Sequence, residues 1–330
     1  MRDPFLRKRE VLIKAEEETN PEYGVPPEKR SIEDLIKKGI VNLDKPPGPT
    51  SHEVVAWIKK IFGLNRAGHG GTLDPKVTGV LPIALEKATK VMPALINAGK
   101  EYVCLMRLHG SVPEDRLIST INEFIGPIYQ RPPLRSSVKR VVRVRRIYYI
   151  RILEMDGKDI LMLVGCERGT YIRKLCHDIG EVLGVGAHMQ ELRRTRVGPF
   201  REDESLITLQ DLVDAYYMWK EDGNEKCIRK FIMPVERAVE HLPKIVIRDS
   251  AVDAICHGAA LATPGILRLD SGIRKGDIVA IFTQKGELVA LAKALVRSEQ
   301  IITMDKGLAA KPLRVIMEPG VYPPLWKKKD

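Results

Sequence analysis

The chain has 330 residues, 54 Lys and Arg against 43 Asp and Glu, a formal net charge of +11 and a pI near 9.3. Its length exceeds one ordinary domain, its 44% hydrophobic share suffices for more than one core, and its basic balance favours a polyanionic partner. Nucleic acid is the simplest such partner, with a ribosome neighbour or a membrane surface as alternatives.

Residues 1–30 mix charges with Asn20-Pro21 and Val25-Pro26-Pro27 and read as an extended, proline-punctuated arm. Val11-Leu12-Ile13 inside it either adds a strand to another surface, the C-terminal domain being the expected one, or belongs to a disordered tail. Ser31–Lys38 reads as a short helix capped by Ser31 and ended at Gly39, and Ile40–Leu43 as a short strand. Thr50 and Glu53 form a capping-box pattern, Val54, Trp57, Ile58 and Ile61 recur at helical spacing, and Gly63 ends that helix.

Residues 68–82, GHGGTLDPKVTGVLP, are dense in glycine and proline around a single acid, Asp74. Glycine opens backbone conformations and proline closes them, so the sequence specifies an irregular loop. A carboxylate on such a loop is either a turn former bonding its own backbone or a catalytic group held at fixed geometry. Val80–Ala84 then reads as a strand or buried turn, Ala88–Ile96 as a helix ended near Gly99, Lys100–Met106 as a strand, and Asp115–Ile125 as a helix. Tyr102, read alone, is a strand aromatic half in the core. Arg135, Lys139, Arg140, Arg143, Arg145 and Arg146 form the densest cationic cluster, either a solvated face or a phosphate-binding surface.

Residues 159–165 form an apolar strand, and Arg168-Gly169-Thr170-Tyr171-Ile172-Arg173 opens a helix. Ile172, Leu175, Cys176, Ile179 and Leu183 line its apolar face, which puts Arg173 in the first turn. A cation there opposes the helix dipole and needs an anionic partner, for which Asp74 is the obvious candidate. Leu192 opens LRRTRVGPF (192–200), and Thr208 caps a helix carrying Leu212, Tyr216 and Trp219. A boundary near Val235–Leu242 leads into short β segments (Ile245–Ile247, Ile278–Ile281, Leu288–Ala290, Val315-Ile316) and one helix, Ser250–His257, capped by Ser250. The pattern is a small barrel.

Cys104, Cys166, Cys176, Cys227 and Cys256 are scattered and form no C-x-x-C pair, which argues against a disulfide framework or a zinc site and for reduced thiols in a cytosol. The seven His residues show no ligand spacing, no apolar run approaches the length of a membrane helix, and the N-terminus lacks a signal-peptide core.

The stretch 68–82 resembles the active-site signature of the TruB-type pseudouridine synthases. The resemblance extends to DKPPGPTS (44–51), to the K-x-Y of Lys100 and Tyr102, to GTYIR (169–173) and to the LRRT segment. It implies an α+β fold with a mixed, largely antiparallel central sheet and flanking helices over 31–238. It further implies that Asp74 is the catalytic carboxylate, that Arg173 pairs with it, and that Tyr102 and Tyr171 contact the target base. On the same ground Lys45 would help hold the loops, Leu192 would pack under the base, and His69 would stack into the space a flipped nucleotide leaves. Such chemistry needs no cofactor and no metal.

HGAALATPGI (257–266) and the GIRKGDIVA and KGELVA segments after it resemble a PUA RNA-binding domain over 239–325, followed by a basic tail at 326–330. Ala292 stands where that family has Gly. The tRNA-gripping arm of bacterial relatives is absent after Lys139. That absence, the PUA domain and the N-terminal extension together resemble the archaeal dyskerin group, catalytic subunits of H/ACA guide-RNA particles. The implied partners are an H/ACA guide RNA, a substrate rRNA or tRNA, a small zinc-ribbon-like protein, a small Gly/Arg-type barrel protein and a kink-turn-binding protein, in the cytoplasm and away from membranes. The alternatives are a stand-alone tRNA pseudouridine-55 synthase and a non-catalytic RNA scaffold.

Overall fold

A computed structural model describes residues 4–132, 139 and 141–324. Arg135, Arg140 and the tail at 326–330 lie outside them. Strand β1 (Val11–Ile13) lies in the N-terminal arm. The large sheet holds β2 (Gly39–Lys45), β3 (Ala67–His69), β4 (Thr78–Leu85), β5 (Lys100–Leu108), β6 (Gly126–Gln130), β7 (Arg143–Asp156), β8 (Asp159–Cys166), β9 (Ala187–Val197), β10 (Phe200–Arg201), β11 (Leu206–Ile207) and β12 (Ile232–Pro234). The C-terminal sheet adds β13 (Lys244–Ile247), β14 (Leu261–Ala262), β15 (Ile266–Asp270), β16 (Ile278–Phe282), β17 (Leu288–Ala294) and β18 (Leu308–Val315). The helices are α1 (Ile32–Lys38), α2 (Ser51–Phe62), α3 (Met92–Asn97), α4 (Glu114–Glu123), α5 (Ile172–Leu183), α6 (Leu209–Asp222), α7 (Glu225–Phe231), α8 (Asp249–Cys256) and α9 (Ser298–Thr303).

The large sheet runs β11-β2-β4-β9-β5-β8-β7-β6 and is mostly antiparallel. Its two halves meet at one narrow parallel seam, where β4 and β9 pair only at Thr78 with Arg193 and Gly79 with Arg194. Two separate cores flank the seam. One packs Val54, Ile58, Leu212 and Ile228 of α2, α6 and α7 against Leu43, Leu81 and Ile83. The other packs Ile121, Leu175 and Ile179 of α4 and α5 against Cys104, Met106 and Val164. A loop that crosses the seam therefore draws on side chains from both halves.

The seam depends on Gly79. Its φ is +101°, and a Cβ there would sit 2.2 Å from the Arg194 carbonyl oxygen. Only glycine lets β4 approach β9 this closely.

The C-terminal sheet runs β1-β15-β13-β16-β17-β18-β14, so the N-terminal arm supplies one edge strand. Val11 pairs with Asp270 and Ile13 with Arg268. Beyond β1, Lys14 Nζ donates to the Ile302 and Met304 carbonyls, Thr19 and Asn20 donate to Asp249, and the Val25 amide donates to Glu287. A third core, in which Val80, Val91 and Leu95 meet Ala280, Phe282 and Leu291, joins the two sheets.

Two local expectations differ from the structure. The helix expected over Ala88–Ile96 is a 3-10 segment, Glu86–Val91, followed by α3, because Pro93 suits only a first helical turn. The cap expected at Ser250 lies at Arg248, and α8 begins at Asp249, whose carboxylate serves the N-terminal arm instead of the helix. At the start of β7, Val144 is exposed and Arg143 and Arg145 are half-buried.

Candidate active site

Asp74 sits between β3 and β4 on a loop fastened at many points. Gly70 N donates to the Pro82 carbonyl at 2.8 Å, and Val77 N donates to the Asp74 carbonyl at 3.0 Å. Ser51, in the first turn of α2, uses its Oγ twice: it accepts from Leu73 N at 2.9 Å and donates to Leu73 O at 3.2 Å. Lys45 is fully buried at the end of β2 and donates to the carbonyls of Pro46, Pro75 and Val77 at 2.9–3.0 Å. Burial pulls the Lys45 ammonium below its ordinary pKa, with the nearby Arg194 adding to the effect and Asp74 opposing it. The backbone on both sides of Asp74 is thus fixed while its carboxylate stays open, 58% exposed.

Arg173 reaches that carboxylate from across the seam. Its Nη2 lies 2.5 Å from Asp74 Oδ2. Helix α5 has no acidic residue in its first turn and no side-chain cap. The Asp74 carboxylate therefore answers two positive features at once, the guanidinium and the helix N-terminus.

Tyr171 is the N-cap residue of α5, and its backbone is held by Gln130 of β6. Tyr102 lies on β5 directly opposite Arg194 of β9, next to a bulge between Glu101 and Tyr102. Burial pushes its phenol up to about 12, so it is neutral at physiological pH. The buried Arg194 guanidinium spans the seam. Its Nε donates to the Val80 carbonyl at 2.8 Å, its Nη2 to the Gly71 carbonyl at 3.0 Å, and it lies against the Tyr102 hydroxyl.

His69 closes β3, its ring edge-on to His52 at 5.1 Å. Burial, His52 and Arg194 together lower its pKa to about 4. The neutral ring accepts from Gly71 N at Nδ1. Leu192 is half-buried opposite Cys104, against the α4–α5 core.

The structure thus brings Asp74, Arg173, Tyr102, Lys45 and His69 around one loop, with Tyr171 beside Arg173 on α5. The basic cluster is less uniform. Lys139 and Arg146 are exposed and Arg143 is half-buried. Arg145 is directed to the site loop, where its Nε donates to the Gly169 carbonyl at 3.2 Å. Sequence reasoning gave no role to Gln130, Ser51 or Arg194. Nothing in the sequence distinguishes Arg194 from its neighbour Arg193, which pairs with Asp44 and Glu202.

Comparison with known proteins covers nearly the whole chain. Residues 59–172 match the TruB family pseudouridylate synthase N-terminal domain, and residues 173–240 match the tRNA pseudouridylate synthase B C-terminal domain. A PUA domain matches 243–316, and a DKCLD (NUC011) domain matches 4–55. A protein of Methanopyrus kandleri named "Probable tRNA pseudouridine synthase B" is 64% identical over 326 residues, 99% of this chain and 96% of that one. A Pyrococcus furiosus protein of the same name is 64% identical over 324 residues, 98% of this chain and 95% of that one. Among solved structures, a crystal structure of a Cbf5-Nop10-Gar1 complex contains a chain similar to this one at TM-score 0.94 and 64% identity, covering 97% of this chain and 98% of the other. A structure of an H/ACA RNP bound to a substrate RNA containing 2'-deoxyuridine contains another, at TM-score 0.93 and 62% identity, covering 98% of this chain and 99% of the other.

Proposed function

Since the chain belongs to the TruB family of pseudouridine synthases, we infer that it isomerises uridine to pseudouridine in RNA at sites chosen by an H/ACA guide. One observation carries the assignment of roles: the Asp74 carboxylate is held by Arg173 at 2.5 Å on a loop whose backbone is fixed from both sides.

The reaction breaks the N1–C1′ bond, turns the base and rejoins it through C5. Asp74 is the group that meets the sugar, as nucleophile or base. Arg173 engages Oδ2, and among the described residues none donates to Oδ1, which leaves that oxygen for the substrate. Tyr102 and Tyr171 hold a base taken out of its stack, Leu192 supports it from below, and His69, a neutral ring at physiological pH, fills the vacated space. Lys45 sets the loop rather than touching substrate. Lys139, Arg143 and Arg146 are left to meet phosphates.

The partners follow from the solved relatives. The chain is matched almost end to end by proteins seen with Nop10, with Gar1 and in an H/ACA RNP on substrate RNA. A guide RNA and small proteins of those kinds are therefore its proposed company, with a kink-turn-binding protein completing the particle. The C-terminal domain would hold the guide. Among the described residues no helix is long and apolar enough to cross a membrane, and we place the protein in the cytoplasm.

A second reading, a stand-alone tRNA synthase, is favoured by the name that the Methanopyrus kandleri and Pyrococcus furiosus relatives carry, "Probable tRNA pseudouridine synthase B". The deciding assay measures pseudouridine in a target RNA with and without a matched guide and the accessory proteins, with Asp74→Asn as control. Product that requires guide and partners and vanishes in Asp74→Asn supports the first reading. Equal turnover of tRNA without guide supports the second. Full activity of Asp74→Asn overturns both.

A further inference from the structure

Three basic side chains lie buried behind the Asp74 loop, and none is paired with a carboxylate among the described residues; burial lowers the pKa of Lys100 to about 7, so the lasting charge is that of Lys45 and Arg194. Lys45, Arg194 and Lys100 are 0%, 1% and 6% exposed. Their hydrogens go to backbone carbonyls: those of Pro46, Pro75 and Val77 for Lys45, Leu95, Ile96 and Ala98 for Lys100, and Val80 and Gly71 for Arg194. Carbonyl dipoles offset only part of the penalty for burying a charge without a counter-ion. Each of these side chains also gives carbonyls a donor they would otherwise lack, and together they place a positive field under this loop.

Arg194 is the centre of that field. Its charge acts on Lys45, Lys100 and His69 together, lowering the pKa of each. It also faces the Tyr102 hydroxyl from the neighbouring strand.

We propose that Arg194 acts on the reaction through its charge: it supplies the buried positive charge that stabilises the base after it leaves the sugar. The inference rests on the pseudouridine-synthase reading. In that reaction the N1–C1′ bond breaks with its electron pair on N1, so the detached uracil is an anion. Rejoining forms the C5–C1′ bond; C5 loses a proton and N1 gains one, and nothing is oxidised or reduced. A buried cation fixed before the bond breaks favours the anion without reorganisation.

The test uses the complete guide-loaded assembly. Single-turnover rates are measured for wild type, Arg194→Met and Arg194→Lys on target RNA carrying uridine or 5-fluorouridine, whose fluorine makes the detached base a more stable anion. Rearrangement is read as loss of the intact nucleoside after digestion. Arg194→Met is expected to lower the rate on uridine by roughly 100-fold or more, and the loss on 5-fluorouridine should be at least tenfold smaller. Arg194→Lys, which keeps the charge, should recover part of the rate, and substrate Kd should stay within about threefold.

Equal losses on both substrates, or a wild-type rate in Arg194→Met, would overturn the inference. Should Arg194→Met fail to fold, Arg194→Gln takes its place, because it keeps a donor for the Val80 and Gly71 carbonyls and removes the charge, and equal losses on both substrates there overturn it too. Wild-type protein that makes no pseudouridine in this assembly would overturn the functional reading itself, which separates the two failures.

Discussion

Gln130 and Tyr171 are joined as two strands would be: Gln130 Nε2 donates to the Tyr171 carbonyl at 3.1 Å, and the Tyr171 amide donates to Gln130 Oε1 at 2.9 Å. One buried side chain thus takes both backbone groups of the residue that starts α5 and fixes the approach of Arg173 to Asp74. Gln130→Leu keeps the volume and removes both bonds, while the Tyr171 carbonyl keeps the Leu175 amide as donor. It should cost about 2–3 kcal/mol and lower the single-turnover rate at least tenfold while substrate Kd changes little. An unchanged thermal midpoint would show that the clamp contributes nothing.

Lys45→Met removes three charge-assisted bonds and takes this donor from the Pro46, Pro75 and Val77 carbonyls, of which Pro75 keeps the Gly48 amide. The loop that carries Asp74 should loosen. Activity is expected to fall by more than 100-fold, and stability by about 3 kcal/mol or more, since breaking up a buried polar network is among the larger single-site effects. Calorimetry and single-turnover kinetics on the same preparation check this.

Gly79→Ala and Gly48→Ala make a matched pair. Both glycines have φ near +100°, but an added Cβ at Gly79 meets the Arg194 backbone, whereas at Gly48 it meets nothing within 4 Å. Gly48→Ala should therefore cost only conformational strain, about 1–2 kcal/mol. Gly79→Ala should cost about 3 kcal/mol or more and open the β4–β9 seam, with loss of activity. Equal melting temperatures for the two variants would contradict the close approach.

Acid should destabilise the protein in a defined window. His69 and His241 are each lowered to about 4, desolvation being the main cause. Between pH 6.5 and 4 the unfolded chain takes up protons at these rings and the folded chain does not, so stability falls as pH falls through that range. At about 1.4 kcal/mol per pH unit, the loss at the buried His241 is on the order of 3 kcal/mol, and that at the partly exposed His69 is smaller. His241→Gln should flatten the dependence of melting temperature on pH between 6.5 and 4, and an unchanged slope would contradict the burial argument.

Asp74 stands out in the sequence as the one acid of a glycine- and proline-dense loop, but composition leaves it between turn former and catalytic carboxylate, and the family resemblance decides. An arginine in a first helical turn calls for an anion, and Arg173 meets Asp74. Other features depend on register and depth, which composition does not carry. Arg193 and Arg194 are adjacent and chemically alike, yet one forms surface ion pairs and the other spans the seam without a carboxylate. The bulge beside Tyr102 and the two-pair seam decide that difference. Gln130 left no trace for the same reason, because a glutamine next to a basic, proline-rich segment looks like surface. Pro93 was the one local signal that should have limited the helix over Ala88–Ile96.

The N-terminal strand also orders events during synthesis. Glu10 and its partner Ser271 are 261 positions apart. The first strand to leave the ribosome therefore waits for nearly the whole chain before its neighbour exists. A closure that long adds little to the entropic cost per residue but cannot be completed early. The large sheet can form while the arm is still searching, and the C-terminal sheet gains its β1 edge only after β15 has been made. Quality control that acts on nascent chains would thus find in this edge a marker that synthesis has passed Asp270.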